Sequence, residues 1–337
     1  VNISKLLAWF ELNKRDLPWR QHPSPYGVWI SEVMSQQTTL AAVVPYFNRW
    51  MSEFKSVHVL AKAREEHVLK AWAGLGYYSR ARNLHKAAKV IANNGFPKSA
   101  FEWQQLPGVG PYTARAIGAI ALGEAVLPVD GNVIRVLARQ NLIQNPLQKR
   151  AQLARVHQAA EELVSKAKSG QYGLLAEALM ELGATVCRPG ALARCEVCPV
   201  SLSCQSLKRK QVACVPRPKE RVRPIERQGY LVAYRRPNLS QQFLVRPVVD
   251  GQRLKGQFEL PKYSAAPKGA LKIGQIRHSI TRYRDVHWVL DGGFFRGRLP
   301  DGHIWAEIEQ VHLSTASRKA LKLILNIDSA SKLGKPT

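Results

Sequence analysis

The sequence predicts an all-α first part followed by a smaller α+β second part, and three observations predict it. As far as about residue 186, apolar residues recur at helical spacing and no run alternates in the manner of a strand. After Cys204 the stretch KRKQVACVPRPKERVRPIERQ is basic, proline-bearing and poor in apolar side chains, which is the composition of a linker. From Gly229 onward, short β-like runs are separated by turns containing Gly, Pro and Asn. A chain of 337 residues is also too long for one comfortable hydrophobic core. The boundaries that follow are a helical domain over 1–206, a basic linker over 207–227 and a second domain over 228–337.

The elements can be taken in order. Ile30, Val33, Met34, Ala41 and Val44 lie at roughly helical spacing. Pro45 then interrupts, and Phe47, Trp50, Met51 and Phe54 continue an apolar face. A second helix starts after Gly76, carries Leu84, Ala87, Ala88 and Ile91, and ends at Asn93-Asn94-Gly95, where glycine supplies a C-cap. Further helices are predicted over 112–122, after Asp130-Gly131, and over 174–186. In the second part YLVAYRR, QFLVRPVV, FELPKY and VHWVLDGGFFRG read as strands, and SRKALKLILN reads as a helix. No internal repeat or low-complexity tract is present.

Fifty Lys and Arg against twenty-four Asp and Glu give a formal net charge of +26. That balance favours a polyanionic partner, because each phosphate contact releases condensed counterions. An indifferent basic surface or an anionic lipid surface is the alternative on charge alone. No apolar run approaches the roughly 20 residues needed to span a bilayer, and VNISKLLAWF is too short and mixed for a signal peptide. Five cysteines, four of them between Cys187 and Cys204, do not resemble a secreted disulfide framework and point to an intracellular metal site.

The pattern Cys187-x7-Cys195-x2-Cys198-x5-Cys204 allows four thiolates to wrap one metal centre. Thiolate softness suits zinc or an iron–sulfur cluster, and the spacing alone does not decide between them. Cys214 stands apart as a free thiol. In LPGVGPYTA, Gly108 and Gly110 form a tight hairpin at the start of a helix, whose outward backbone N–H groups make a cradle for phosphate. Asp130, in VDGNVIRVLAR, sits where an aspartate is either a plain N-cap or a functional acid. Glu32, in YGVWISEVMSQQTT, is an acid within a mostly apolar helix; a solvated helix face is its ordinary reading, and Gln36 and Gln37 follow one turn on.

WISEVMSQQTT, GLGYYSRARNLHKA, LPGVGPYTA, VDGNVIRVLAR, ALMELGATVC and the four cysteines occur in the order found in adenine DNA glycosylases. The chain therefore resembles that family, which belongs to the wider helix-hairpin-helix superfamily that also contains endonuclease III-type enzymes. The resemblance covers the whole helical part and, more loosely, the second part. It implies a helical glycosylase domain with a helix-hairpin-helix motif and a cluster loop, followed by a Nudix-like α+β domain. It implies Glu32 as the general acid that protonates adenine and Asp130 as the carboxylate that stabilises the oxocarbenium ion. Such a pair suits the chemistry, since one acid must hold a proton and the other must stay ionised. Asn132 matches a polar site residue beside Asp130.

Tyr112 takes the position of the lysine that forms a Schiff base in endonuclease III-type enzymes, which implies a monofunctional glycosylase. A base inside a duplex must be extruded before it is attacked. Gln37 and Tyr77 match the family's wedge residues, and Arg20, Gln36, Arg80 and Arg82 are expected contacts to bases or phosphates. By resemblance the four cysteines hold a [4Fe–4S] cluster, with Arg188 and Arg194 of its basic loop bracing the DNA backbone. The implied partner is double-stranded DNA with adenine opposite 8-oxoguanine or guanine. The expected setting is a monomer, without membrane, in a bacterial cytoplasm at the nucleoid.

The sequence departs from the family in places. Seven residues rather than six follow Cys187 before the next cysteine, and Arg115 replaces a small residue after the hairpin. The acidic metal box of active Nudix enzymes is absent, so pyrophosphohydrolase activity is not expected. Where many members carry Phe-Ser-His, RHSITRYR supplies Ile280, Thr281 and Arg282. Thr281 keeps a hydroxyl, Arg282 suits a phosphate or guanine edge, and His278 is a further landmark for lesion recognition. Three competing readings are a glycosylase for thymine opposite guanine, a cluster-bearing DNA-binding or redox-sensing protein without catalysis, and an RNA-directed binder, which the hairpin and flipping residues disfavour because they suit duplex DNA. Glu32 argues against the first, because adenine departure gains more from ring protonation than thymine departure.

Overall fold

The computed structural model describes residues 1–217, 224–249, 256–280 and 282–332. The chain divides into two compact units, Val1–Lys219 and Glu220–Thr337. Among the described residues, no helix is long and apolar enough to cross a membrane.

The first unit contains thirteen α-helices among its described residues. They are α1 (Ile3–Asn13), α2 (Pro18–Gln21), α3 (Pro25–Ser35), α4 (Leu40–Glu53), α5 (Val57–Lys62), α6 (Glu65–Ala71) and α7 (Ser79–Asn94). After these come α8 (Ala100–Trp103), α9 (Pro111–Ala121), α10 (Gly131–Gln140), α11 (Arg150–Lys166), α12 (Tyr172–Thr185) and α13 (Gln205–Lys208). Their starts are local chemistry. Ser24, Ser56, Ser99 and Asp130 each accept the backbone N–H three residues on, and Pro18, Pro25 and Pro111 occupy first-turn positions where no N–H is needed. Gly95 closes α7 at φ +82°, its N–H donating to the Ile91 carbonyl.

One expectation fails at Pro45. The chain breaks at 36–39, and α4 runs straight through the proline. Pro45 removes one hydrogen bond near the N-terminal end of α4, while Val43, Phe47 and Trp50 on the same helix are buried in the core. Burying such side chains is worth about 1.5–3 kcal/mol each, enough to outweigh an interior proline at about 3 kcal/mol.

Two apolar clusters organise this unit. The first gathers α3 to α9 around Trp29, Trp50, Trp72 and Trp103, with Trp29–Trp103 and Trp50–Trp72 ring centroids both 5.6 Å apart. The second gathers α1, α10, α11 and α12 around Leu6, Phe10, Leu137 and Leu179. Helix α9 serves both, with Ala114 and Ile117 in the first cluster and Ala119 in the second.

Residues 207–217, expected as free linker, belong to this unit. Val215 is buried in the second cluster, its carbonyl accepts from Arg139 Nε at 2.7 Å, and Arg217 N donates to the Gln144 carbonyl at 2.8 Å.

The second unit is a mixed sheet covered by one helix, the α+β arrangement expected. Its strands are β1 (Ile225–Arg236), β2 (Leu239–Pro247), β3 (Phe258–Glu259), β4 (Lys262–Tyr263), β5 (Leu271–Ile280), β6 (Tyr283–Phe294) and β7 (Ile304–Glu307). They run in the order β3-β2-β1-β6-β5, with β4 paired to β1 and β7 to β2. Strands β1 and β6 pair in parallel, in register from Ile225↔Tyr283 to Ala233↔Asp291, and the other strand pairs among the described residues are antiparallel. Helix α14 (Thr315–Lys332) packs Ala320, Leu321 and Ile324 into a core with Leu231, Val289 and Ile276. FELPKY, expected as one strand, is divided at Leu260-Pro261 into β3 and β4, which pair with different neighbours. Strand β1 begins at Ile225, three residues inside the expected linker.

Candidate active site

A cavity of 390 Å³ lies in the first unit, lined by Glu32, Gln36, Gln37, Tyr112, Asp130, Asn132 and Glu177 among others. Its walls come from both apolar clusters. Glu32 is on α3, Asp130 caps α10, Glu177 and Met180 are on α12, and Tyr112 stands on α9 between them. The volume suits a flat heterocycle of nucleobase size.

Glu32 remains accessible from the cavity, yet its carboxyl is so enclosed that its pKa is pushed up to about 7. Burial is the main cause. The charges of Asp130 and Glu177 add to it, while a hydrogen bond from Tyr112 and the charge of Arg20 oppose it. The Tyr112 phenol is driven well above its ordinary value by burial and by the neighbouring Glu32 and Asp130 charges, so it stays protonated. Its hydroxyl also lies 3.3 Å from Met180 Sδ. Asp130 is fixed by two donors. Val133 N donates to Oδ1 and Asn132 Nδ2 to Oδ2, both at 2.8 Å. One acid thus titrates near neutrality, and the other is pinned by two hydrogen bonds at a helix N-terminus.

Beside them stands a network that the sequence reading missed except for Arg20. Arg20 Nε donates to Glu177 Oε1 at 2.9 Å and Arg20 Nη2 to Glu181 Oε2 at 2.9 Å. Arg15 grips Glu181 at both oxygens, at 2.6 and 3.1 Å. Burial alone would raise the Glu181 carboxyl, but the hydrogen bonds from Arg15 and Arg20 outweigh it and hold its pKa below the usual range. Glu177 is raised, burial exceeding the help of its single arginine. The signal was present in LLAEALMELG, where two acids four apart face one side of an apolar helix.

Helix α10 joins this site to the cysteine loop. Arg135 Nη2 donates to Asn132 Oδ1 at 2.8 Å and to the Gly183 carbonyl at 2.6 Å, and Arg135 Nε donates to the Cys187 carbonyl at 2.7 Å. Arg139, almost wholly buried, lies with Nη1 3.3 Å from Cys187 Sγ and donates to the Arg188 and Gly190 carbonyls. Cys187, Cys195, Cys198 and Cys204 line a single cavity whose other walls include Val136, Leu182, Val186 and Val200. Among the described residues no three His, Cys, Asp or Glu side chains are close enough to hold one metal ion.

The residues expected at DNA fall into two groups. Gln37 and Tyr77 are exposed, both at positive φ (58° and 47°), and Arg188 and Arg194 are exposed on the cysteine loop. Gly108 is forced by packing: at φ +77° an added Cβ would lie 2.5 Å from Asn83 Cβ. Gly110 meets nothing within 4 Å and precedes α9. The others are turned to the protein. Gln36 Nε2 reaches Thr113 Oγ1 at 3.4 Å, Arg82 Nε donates to Glu65 at 3.1 Å, and Arg80 donates to five backbone carbonyls.

The model of the HhH-GPD superfamily base excision DNA repair proteins matches residues 30–166, which include Glu32, Tyr112, Asp130 and Asn132. The human adenine DNA glycosylase is 44% identical over 216 residues, covering 60% of this chain and 39% of the human one. That of Buchnera aphidicola subsp. Baizongia pistaciae is 30% identical over 257 residues, 71% of each chain. The chain belongs to the adenine DNA glycosylase family. It spans about two fifths of the length of its human and mouse relatives, 39% and 42%. Among solved structures, a thermostable thymine-DNA glycosylase superposes with a TM-score of 0.53 at 27% identity, covering 61% of this chain and 95% of its own. Endonuclease III in a non-covalent DNA complex gives 0.51 at 22% identity over 62% and 94%, which shows a shared helical fold.

Against this family frame, the second unit's expected recognition residues sit at the β5–β6 hairpin. His278 pairs with Asp285 across the strands, its pKa lowered chiefly by burial. Exposed Arg282 donates to the Tyr283 hydroxyl at 3.1 Å. Thr281 lies outside the described residues.

Proposed function

We propose that this chain excises adenine mispaired with 8-oxoguanine or guanine from double-stranded DNA by hydrolysing the N-glycosidic bond, as a monofunctional base excision repair glycosylase. The observation that carries this is Glu32, raised so that it is half-protonated near pH 7, facing Asp130, which two hydrogen bonds pin, in one base-sized cavity. Adenine is a poor leaving group until a ring nitrogen is protonated. Glu32 delivers that proton as the bond from the base nitrogen to the sugar carbon breaks. Asp130 then stabilises the positive charge left on the sugar, and water adds at that carbon, giving up a proton to the Glu32 carboxylate. Asn132 keeps the Asp130 oxygens aimed, and Tyr112 hydrogen-bonds Glu32. With a phenol at 112 rather than an amine, no Schiff base forms there and the strand is left intact.

Gln37 and Tyr77 act at the opened base step, and Gly108, Gly110, Arg188 and Arg194 meet the backbone, as do Gln36, Arg80 and Arg82 more indirectly through the site's scaffold. The four cysteines fit a [4Fe–4S] cluster. They are four soft donors lining one mainly apolar cavity. The cluster would supply structural cross-linking of the basic loop. The second unit acts as a Nudix-like reader of the base opposite adenine, through His278, Thr281 and Arg282.

The test is single-turnover cleavage of duplexes carrying adenine opposite 8-oxoguanine, guanine or thymine, with and without alkali. Fast adenine loss opposite 8-oxoguanine, with strand breaks only after alkali, is expected. Absence of adenine release from every duplex by cluster-loaded protein refutes the reading.

A further inference from the structure

Arg80 occupies an unusual position. It does not face solvent with its cationic head, as an arginine beside a nucleic-acid surface ordinarily does. Its Nη1 donates to the carbonyls of Val33, Met34 and Gln36, at 2.7, 3.3 and 2.8 Å. Its Nη2 donates to those of Leu75 and Gly76, at 3.0 and 3.3 Å. The first three carbonyls are at the C-terminal end of α3, where a helix leaves such groups without intrahelical partners. The other two belong to the loop before α7. One planar group therefore binds two chain segments about forty residues apart, one nitrogen to each.

Each segment ends in a strained residue. Gln37 follows α3 at φ +58°, and Tyr77 follows Gly76 at φ +47°, both in the left-handed region that non-glycine residues seldom occupy. Both side chains are exposed, Tyr77 at 55%. Such conformations persist only where surrounding structure over-determines them. The surroundings here are Arg80 and Trp72. The guanidinium lies 5.2 Å from the buried Trp72 ring and 5.6 Å from the Tyr77 ring, and Trp72 Nε1 donates to the Gly76 carbonyl at 3.0 Å.

We propose that Arg80 is a positioning residue that clamps the Gln37 and Tyr77 loops into one preformed, two-pronged wedge, so that the duplex is opened by a rigid edge. This rests on the adenine-excision reading given above. The clamp acts on helix opening and not on bond cleavage. A lysine keeps the charge at this position but presents a single nitrogen, which cannot serve both loops.

The test uses the full, cluster-loaded chain and two substrates: adenine opposite 8-oxoguanine in a fully paired duplex, and the same adenine flanked by unpaired bases. Excision is read in single turnover, and opening is read separately by the fluorescence of 2-aminopurine beside the adenine. Arg80→Lys is expected to slow excision from the paired duplex at least tenfold and from the pre-opened one less than threefold, with a matching loss of the fluorescence rise. Tyr77→Ala should show the same split, and the double variant should lose less than the two separate losses combined, because Arg80 acts partly through Tyr77 and partly through Gln37. Equal slowing on both substrates, additive losses, or an unchanged fluorescence rise overturns the clamp. If Arg80→Lys fails to fold, Trp72→Phe, which removes the bond to Gly76, must give the same substrate split, and equal slowing there is equally fatal. A wild-type chain that releases no adenine refutes the excision reading, while the fluorescence arm still decides the clamp.

Discussion

The pH dependence of excision follows directly from the surroundings of Glu32. With its pKa near 7, the carboxyl is about 90% protonated at pH 6 and about 10% at pH 8. If Glu32 is the general acid, the single-turnover rate should be level below about pH 6 and fall about tenfold between pH 6 and pH 8. A carboxyl at its ordinary 4.5 would give no plateau and a fall of about a hundredfold over the same interval. The midpoint should also move predictably. Tyr112→Phe removes a hydrogen bond that lowers the Glu32 pKa and should shift the midpoint to higher pH. Glu177→Gln removes a charge that raises it and should shift the midpoint to lower pH. Stability carries the same signature with a definite sign. A raised carboxyl contributes stability that is complete below about pH 4.5 and lost as the pH rises through about 7, in total roughly 3 kcal/mol. Glu32→Gln should thus be inactive yet less destabilised by alkaline pH than the parent. The assay is quenched-flow excision at saturating enzyme from pH 5 to pH 9, with denaturation midpoints measured alongside. A flat rate profile, or midpoints that ignore both neighbouring substitutions, would refute the assignment of Glu32.

Other expectations follow from the same geometry. Arg135→Gln leaves Asn132, Gly183 and Cys187 without their shared donor, and should lower the excision rate per cluster-loaded molecule about 10- to 100-fold, read in single turnover with iron content as the control. Gly108→Ala should destabilise the protein by about 1–3 kcal/mol in denaturant titrations, because of its left-handed backbone and the contact with Asn83. Gly110→Ala, with open space around it, should leave stability nearly unchanged, so any loss of DNA affinity there reports crowding at the phosphate. Cys198→Ala should abolish iron and sulfide binding in metal analysis; a parent protein that binds one zinc and no iron would exclude the cluster. Arg282→Ala should reduce the preference for 8-oxoguanine over guanine while leaving the excision rate opposite guanine within about threefold, measured on the two duplexes in parallel.

What was legible in the sequence was the chemistry that neighbours in the chain decide. Asp130 caps α10 because its side chain reaches the N–H three residues on, and α7 stops at Gly95 because glycine accepts φ +82°. The same local logic failed at Pro45, where core packing carries the helix past the proline, and at β5, where a register shift between Lys272 and Gly274 disturbs the alternation that marks a strand. The site itself was only half legible, for a reason seen in its construction. Glu32 stands on α3 and Asp130 caps α10, helices whose buried residues belong to different apolar clusters, so the surroundings that raise Glu32 exist only once α3, α9, α10 and α12 have packed together. Arg20 meets Glu177 across 157 residues and Arg15 meets Glu181 across 166, distances over which no spacing rule speaks. Arg80 shows the limit most clearly. In the sequence it is one more cation in SRARN, beside a tyrosine that suits stacking, and a contact to DNA is the natural expectation. Only the fold reveals that its nitrogens point at the ends of two loops, so that its bearing on DNA would be exerted through Gln37 and Tyr77. A basic residue next to a binding surface is therefore informative only after its donors have been traced: those that end on phosphate set affinity, whereas those that end on backbone carbonyls set the shape that the DNA meets.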